Sequence, residues 1–126
     1  FGAWAAGGWM WGGNDHQDSV NAIRKSIELG ITTIDTAPVY GFGLSEQITG
    51  EAIKPFRRDE VQLLTKFGLR WDTTQGSFYF DSTDADGKPV KIHRYAGRES
   101  VIRECEESLR RLGTDYIDLL QIHWAD

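Results

Sequence analysis

Three apolar, strand-like runs of this sequence each end in an ionisable residue. These residues are Asp35, Lys66 and His123, and a fourth candidate, Tyr40, follows Asp35 in a glycine-containing loop. In a parallel sheet whose consecutive strands are neighbours, the carboxyl ends of the strands meet at one edge. We therefore expect the four side chains to converge on one space.

A phenol, an ammonium, a carboxylate and an imidazole at one point suit the reduction of a carbonyl group. A free tyrosine side chain has a pKa of about 10 and donates its proton poorly, but a nearby ammonium favours the phenolate. We expect Lys66 to tune Tyr40 as the acid and Asp35 to hold the lysine charged and oriented. His123 would donate a hydrogen bond to a substrate oxygen. None of these groups is a hydride source, so a bound cofactor must supply the hydride.

Strand-like and helix-like segments alternate along the chain. The predicted strands lie within 1–8 and at 31–34, 60–66 and 116–122, and the predicted helices lie at 15–29, just after Ser45, and at 98–112. Ser45 is the expected N-cap of the second helix. The third helix has an apolar stripe that should be buried, and it consists of Val101, Ile102, Cys105, Leu109 and Leu112. The alternation predicts a parallel sheet, as in a doubly wound fold or half of an eight-stranded barrel.

Two further segments fall between these elements. The glycine-rich stretch 9–13 predicts a loop that could touch a ligand. Residues 67–97 are too many for a βα loop, which usually has about 2 to 6 residues. Within them, the apolar runs 78–80 and 90–92 flank a turn-forming stretch at 84–87, which predicts an inserted hairpin or lid.

Composition and charge limit the function classes. The chain has 126 residues and a net charge of −5, which allows one domain, and no Lys/Arg-rich run favours nucleic acid or an anionic membrane as a partner. Its longest apolar stretch is broken by glycines and is too short for a membrane helix. The single cysteine, Cys105, has no partner for a disulfide or a metal site, which indicates a reducing, cytoplasmic compartment. We expect no metal centre, and we expect the chain to be part of a longer protein.

Three separated motifs, in order, resemble the aldo-keto reductase family. The first is Asp-Thr-Ala-Pro-Val-Tyr-Gly at 35–41 with Ser-Glu at 45–46 and Gly50, the second is Lys66 in 65–67, and the third combines 108–112, 115–119 and His123. The resemblance implies a parallel (β/α)8 TIM barrel, of which residues 1–126 would be the first half, of about four strands, with the insertion at 67–97. It also implies a catalytic tetrad of Asp35, Tyr40, Lys66 and His123.

By the same resemblance the cofactor is NADPH, with NADH not excluded, and its nicotinamide end would lie near Gly8, Trp9, Met10 and Asp35. The implied activity is the reduction of an aldehyde, ketone or sugar-like carbonyl by hydride transfer. The family's adenosine-phosphate pocket comes from the other half of the barrel, so the remainder of the barrel or a second chain would be needed. The alternatives are a regulatory module similar to the potassium-channel β-subunits and an inactive fragment of the reductase.

Overall fold

A computed structural model describes residues 1–10 and 15–125 of the chain. In chain order, the elements are α1 (His16–Glu28), β1 (Thr33–Asp35), α2 (Leu44–Ile53), β2 (Gln62–Phe67), β3 (Leu69–Arg70), β4 (Ser77–Thr83), β5 (Pro89–Arg94), α3 (Arg98–Leu112) and β6 (Leu119–Ile122). Short 3₁₀ helices occur at Ala5–Gly7 and Arg58–Glu60. Among the described residues, no helix is long and apolar enough to cross a membrane.

The central sheet is parallel and has the strand order β1-β2-β6. Asp35 is in register with Leu64, and Lys66 is in register with Gln121. Consecutive strands of the βα pattern are therefore neighbours, as in a barrel; a doubly wound sheet instead reverses its strand order. Ile34 and Leu63 occupy alternate strand positions, so their side chains lie on the face of the sheet opposite to those of Asp35 and Lys66. They are fully buried under the helices.

The strand predicted within 1–8 is wrong as an extended element. This segment makes a single parallel bridge, Gly2 to Asp35, supported by a hydrogen bond of 2.8 Å from the Ala3 amide to the Asp35 carbonyl. The chain then turns into the 3₁₀ helix at Ala5–Gly7. The physical reason is that the small residues there lack the branched side chains that favour a longer strand.

Helix α1 lies within the predicted range, and the structure shows Asp15 as its N-cap. The amide of Asp18 donates to the Asp15 side chain at 2.9 Å, which satisfies one free amide of the first turn. Val20, Ile23 and Ile27 are buried along one face. The other three parallel strands are shorter than or offset from the predicted ones: β1 begins at Thr33, β2 at Gln62 and β6 at Leu119.

The N-cap predicted for α2 is wrong by two residues. Gly43, with a φ of 99°, precedes the helix, and Ser45 lies inside it. The Ser45 hydroxyl is fully buried and donates to the carbonyl of Ala3 at 2.7 Å, and it also lies 2.9 Å from the Thr36 hydroxyl. A serine can cap a helix only when its side chain is free to reach the next amides, and here tertiary contacts occupy it.

The segment 67–97 forms a second, antiparallel sheet with the strand order β3-β5-β4. β4 and β5 are a hairpin whose tip carries Gly87 at a φ of 79°. The register of the hairpin shifts between Phe78 and Phe80, because Phe78 pairs with His93 and Phe80 pairs with Ile92. Tyr79 is therefore an extra residue, a β-bulge, in β4.

Helix α3 has the predicted ends, and Gly113 follows it with a φ of 65°. The face that it buries differs from the predicted stripe, however, because the buried residues are Ser100, Glu104, Ser108 and Leu112, of which only Leu112 belongs to the stripe. Ile102 is 46% exposed, and Cys105, which we expected to be buried, is only partly so. Helix α3 packs against α2 and β2, and apart from Leu112 the predicted apolar stripe is partly buried or exposed.

Candidate active site

The carboxyl ends of β1 and β2 bring a lysine and an aspartate into direct contact. The Nζ of Lys66 donates to Oδ2 of Asp35 at 2.7 Å and to the carbonyl of Thr36 at 2.8 Å. Only 14% of the Lys66 side chain is exposed. Its charge is therefore held in one place by two oxygen acceptors in a poorly hydrated position, where an ion pair is stronger than in water.

Tyr40 is held beside this pair by a tightly folded loop. The Tyr40 amide donates to the carbonyl of Ala37 at 3.2 Å, and the next residue, Gly41, has a φ of 65°. A Cβ at Gly41 would overlap the carbonyl oxygen of Gly7, so only glycine permits the loop to lie against the 3₁₀ helix. The Nζ of Lys66 lies 4.9 Å from the centroid of the Tyr40 ring.

His123 completes the group from the end of β6. Its amide donates to the carbonyl of Phe67 at 2.9 Å, and its ring meets the Tyr40 ring edge to face, with 5.4 Å between the centroids. The pKa of His123 is lowered from 6.5 to about 4, chiefly by burial and next by the positive charge of Lys66, while Asp35 acts in the opposite direction. The imidazole is therefore neutral near neutral pH and can donate one hydrogen bond without carrying a charge.

All four predicted catalytic residues therefore lie together, and two further residues belong to the group. Nε2 of Gln121 lies 3.3 Å from Oδ1 of Asp35, the carboxylate oxygen that Lys66 does not use. The Trp4 ring stacks on Tyr40 with 6.0 Å between the centroids. Gln121 lies two residues before His123, so strand alternation predicts that both side chains point to the same face of the sheet. Only the strand register shows that Gln121 reaches Asp35.

A cavity of about 320 Å³ opens above these residues. It is lined by Trp4, Trp9, Met10, Tyr40, Leu69, Tyr79, Phe80, His123 and Trp124. A second cavity of about 350 Å³ shares Trp9 and Met10 with the first and is also lined by Gly8, Gly41, Phe42 and His16. The cavities therefore meet at two of the four residues that the family resemblance assigns to the cofactor.

The expected cofactor residues have different environments. Gly8 ends the 3₁₀ helix with a φ of 70°. The Trp9 ring packs between Phe42 and Phe80, whereas Met10 is 71% exposed and has a φ of 62°. Residues 11–13 of the expected ligand loop lie outside the described residues.

The chemistry available at this site is proton transfer to an oxygen atom. Tyr40 supplies a phenol that faces the cavity, and Lys66 fixes a positive charge below its ring. His123, as a neutral imidazole, can donate a hydrogen bond to the same oxygen. In the part of the chain that is described, no group of three or more His, Cys, Asp or Glu side chains could hold a metal ion.

Comparisons with known proteins give one consistent family. The model of the "Aldo/keto reductase family" matches residues 1–126. The chain is 48% identical to aldo-keto reductase YhdN of Bacillus subtilis over 99% of its own length. It is 39% identical to the NADH-specific methylglyoxal reductase of Escherichia coli over 98% of its length. It covers 33% and 36% of these two relatives.

Solved structures agree with the sequence comparisons. The glycerol dehydrogenase of Gluconobacter oxydans superposes on the whole chain with a TM-score of 0.80 and 42% identity, and the chain covers 35% of it. An aldo-keto reductase of Klebsiella pneumoniae in complex with NADPH matches the whole chain with a TM-score of 0.70 and 32% identity, and the chain covers 34% of it. The chain thus spans about a third of the length of the relatives that it matches.

Proposed function

Because this chain belongs to the aldo/keto reductase family, we propose that the protein containing it reduces an aldehyde, ketone or sugar-like carbonyl with NADPH, and that Tyr40 is the proton donor. The observation that carries the proposal is the meeting of Asp35, Tyr40, Lys66 and His123 at the carboxyl edge of the parallel sheet, where Tyr40 and His123 line a cavity. That edge carries the active site in enzymes built on (β/α) barrels.

Each of these four residues has a distinct task. The Tyr40 phenol gives its proton to the carbonyl oxygen as negative charge develops there. Lys66 lies beneath the ring and stabilises the phenolate that remains. Asp35 keeps the lysine charged and in place through its 2.7 Å contact. His123 holds the substrate oxygen near the phenol with a neutral hydrogen bond, since its lowered pKa prevents it from competing as an acid.

The residues present fit the ring end of a nicotinamide cofactor. The cavity beside the site is bounded by the flat Phe42 and Trp9 rings and by the backbone of Gly8, which a planar ring can approach closely. Gly8, Trp9, Met10 and Asp35 would hold that end, and the bound cofactor would supply the hydride. No lysine or arginine is among the described residues that line the two cavities, so the phosphates must be held elsewhere.

We propose accordingly that residues 1–126 are the first half of an eight-stranded barrel, with the insertion at 67–97. The β6 edge of the sheet has a strand on one side only, which fits continuation of the barrel beyond β6. Relatives include one that is named for NADH and one that is bound to NADPH, and we place this protein with the NADPH users. A cytoplasmic location fits the free thiol of Cys105.

The experiment that tests the proposal is steady-state reduction of small aldehydes by the full-length protein with NADPH, compared with a Tyr40→Phe variant. Loss of a general acid lowers kcat by about 10² to 10⁴-fold, while cofactor affinity should not change. The matched control is Tyr116→Phe, because Tyr116 is 42% exposed, packs on Arg58 and is remote from the cavity.

The contrary outcomes are distinct. Equal turnover by Tyr40→Phe and the wild-type protein would remove Tyr40 from the mechanism. Tight NADPH binding by the wild-type protein without turnover of any aldehyde would instead favour the regulatory function of the channel β-subunits.

A further inference from the structure

We propose that the hairpin of β4 and β5 is the substrate-recognition wall of this site and selects carbonyl compounds that carry an aromatic or similarly flat apolar group. The inference rests on the proposed function, because it names the substrate class of the same site. It concerns the insertion at 67–97, which lies outside the sheet that supplies the four catalytic candidates.

The hairpin is docked on the site by contacts from β4. The Trp9 indole donates its N–H to the Ser82 hydroxyl at 3.0 Å, and the Trp9 ring stacks on Phe80 with 6.0 Å between the centroids. Tyr79 contacts Trp124, which follows His123 in the chain, at a centroid distance of 5.8 Å. Two aromatic pairs, each with one member from the hairpin, therefore border the cavity.

The β-bulge explains how two consecutive residues reach the same cavity. Side chains of neighbouring residues in a regular strand point to opposite faces. The extra residue in β4 changes this alternation, and Tyr79 and Phe80 both line the cavity with Tyr40 and His123. Bulges are found next to active sites because they change the direction of a side chain. The wall therefore depends on a defined irregularity of β4.

The hairpin is also held through β3, which pairs with β5 and is joined to α3 by ion pairs. Arg70 in β3 is 3% exposed and pairs with Asp72, Glu104 and Glu107. Burial raises the pKa of Glu104, while the Gly68 amide, which donates to it at 3.0 Å, and the charge of Arg70 act in the opposite direction. An ionic network that joins the first strand of the insertion to a helix limits movement of the wall.

The chemistry of the lining sets the substrate class. Apart from Tyr40 and His123, the described lining consists of five aromatic rings, a leucine and a methionine. It includes no carboxylate, carboxamide, aliphatic hydroxyl, lysine or arginine, and the Trp9 N–H is already bonded to Ser82. Besides Tyr40 and His123, the other polar side-chain groups are the Tyr79 hydroxyl and the indole N–H groups of Trp4 and Trp124. The hydroxyl groups of a sugar would lose water here and gain few partners, whereas a phenyl ring would gain stacking contacts.

The test compares aldehydes that differ in the group attached to the same reacting centre. With the full-length protein and NADPH, kcat/KM for 3-phenylpropanal should exceed that for propanal and for glyceraldehyde by about tenfold or more. Phe80→Ala should reduce the ratio of kcat/KM for 3-phenylpropanal to kcat/KM for propanal several-fold, chiefly by raising the KM of the phenyl compound.

The matched control is Phe78→Ala. Phe78 is an aromatic residue of the same strand, is 50% exposed and contacts His93 and Lys91 away from the cavity. This variant should keep the wild-type preference. Circular dichroism and thermal unfolding of both variants show whether the hairpin has kept its structure.

The outcomes separate this inference from the proposed function. The recognition role of the hairpin is refuted if the wild-type protein reduces propanal or glyceraldehyde as efficiently as 3-phenylpropanal, or if Phe80→Ala and Phe78→Ala have the same preference. The proposed reductase activity is not affected by either result. If no aldehyde is reduced, the proposed function fails. Calorimetric binding of 3-phenylpropan-1-ol then tests whether the hairpin recognises a phenyl group. Binding that is weakened by Phe80→Ala and not by Phe78→Ala supports the recognition role of the hairpin. Binding that is absent, or that Phe80→Ala does not change, overturns it.

Discussion

At the scale of single residues, Lys66 connects the parts of the site. Its ammonium is bonded to Asp35 and to the Thr36 carbonyl, and it lies beneath the Tyr40 ring. Gln121 binds the remaining oxygen of Asp35. A carboxylate with a donor on each oxygen has a fixed orientation, so Gln121 positions the lysine indirectly, through Asp35.

The prediction at this scale concerns the pKa of His123. Its pKa is about 4 in the folded protein and 6.5 ordinarily, so the unfolded chain binds more protons between these values. The free energy of unfolding therefore rises with pH across this window. The contribution of the neutral His123 side chain to stability is complete above the window and is lost as the pH falls towards 4. His123→Gln, which keeps a neutral donor, should flatten this part of the pH profile.

Urea denaturation of the full-length protein at several pH values measures the effect. Above the window the wild-type and variant profiles should run parallel, which serves as the internal control. A wild-type profile with no rise across the window, or a variant profile as steep as that of the wild type, would show that His123 titrates normally.

At the scale of elements, the loop between β1 and α2 and the 3₁₀ helix before α1 are packed backbone against backbone. A Cβ at Gly7 would lie 2.7 Å from the Tyr40 carbonyl oxygen, and one at Gly41 would overlap the Gly7 carbonyl. Tyr40 is thus positioned by two glycines in separate segments. Neither glycine contributes chemistry, yet both determine where the phenol lies.

The prediction at this scale is that Gly41→Ala destabilises the protein more than Gly113→Ala does. Both glycines have a φ of 65°, but a Cβ at Gly113 meets nothing within 4 Å. Gly113→Ala should therefore cost only the strain of a left-handed alanine, about 1 to 2 kcal/mol. Gly41→Ala adds the overlap with Gly7 and should also lower kcat, because it moves Tyr40.

Chemical denaturation gives the two stabilities, and steady-state kinetics gives kcat. Equal losses of stability with unchanged kcat in both variants would mean that the loop moves away from the 3₁₀ helix without disturbing Tyr40.

At the scale of the whole molecule, one flank of the structure is apolar and open. β6 is the last strand of the sheet, and Leu119 and Ile122 are 48% and 47% exposed. An unpaired strand edge with exposed apolar residues binds further strands, which agrees with continuation of the barrel beyond β6.

The prediction at this scale concerns the 126-residue segment expressed alone. It should self-associate through the open flank, and Ile122→Lys should reduce the association, because a buried lysine at an apolar contact is costly. Ile31→Lys is the control, since Ile31 is 52% exposed but precedes β1 at the other side of the sheet. Sedimentation velocity over a concentration series measures the effect, and a monomer at all concentrations would contradict it.

Local sequence patterns determined much of the fold and of the candidate site. Helical periodicity and capping residues placed α1 and α3, since hydrogen bonds within a helix join residues near in sequence. Strand alternation and the parallel order placed Asp35, Lys66 and His123 at one edge. The motif around Tyr40 indicated the family, because loop residues that carry chemistry keep a fixed spacing from their strand.

The tertiary structure alone decided features that depend on contacts between distant residues. Ser45 hydrogen-bonds to Ala3 and Thr36 instead of capping α2, and α3 buries Ser100 and Glu104 together with only one residue, Leu112, of its predicted apolar stripe. The bulge at Tyr79 follows from the register between β4 and β5, and local propensity does not encode that register. The aromatic wall and the lowered pKa of His123 likewise arise from packing, because burial is a property of the whole fold.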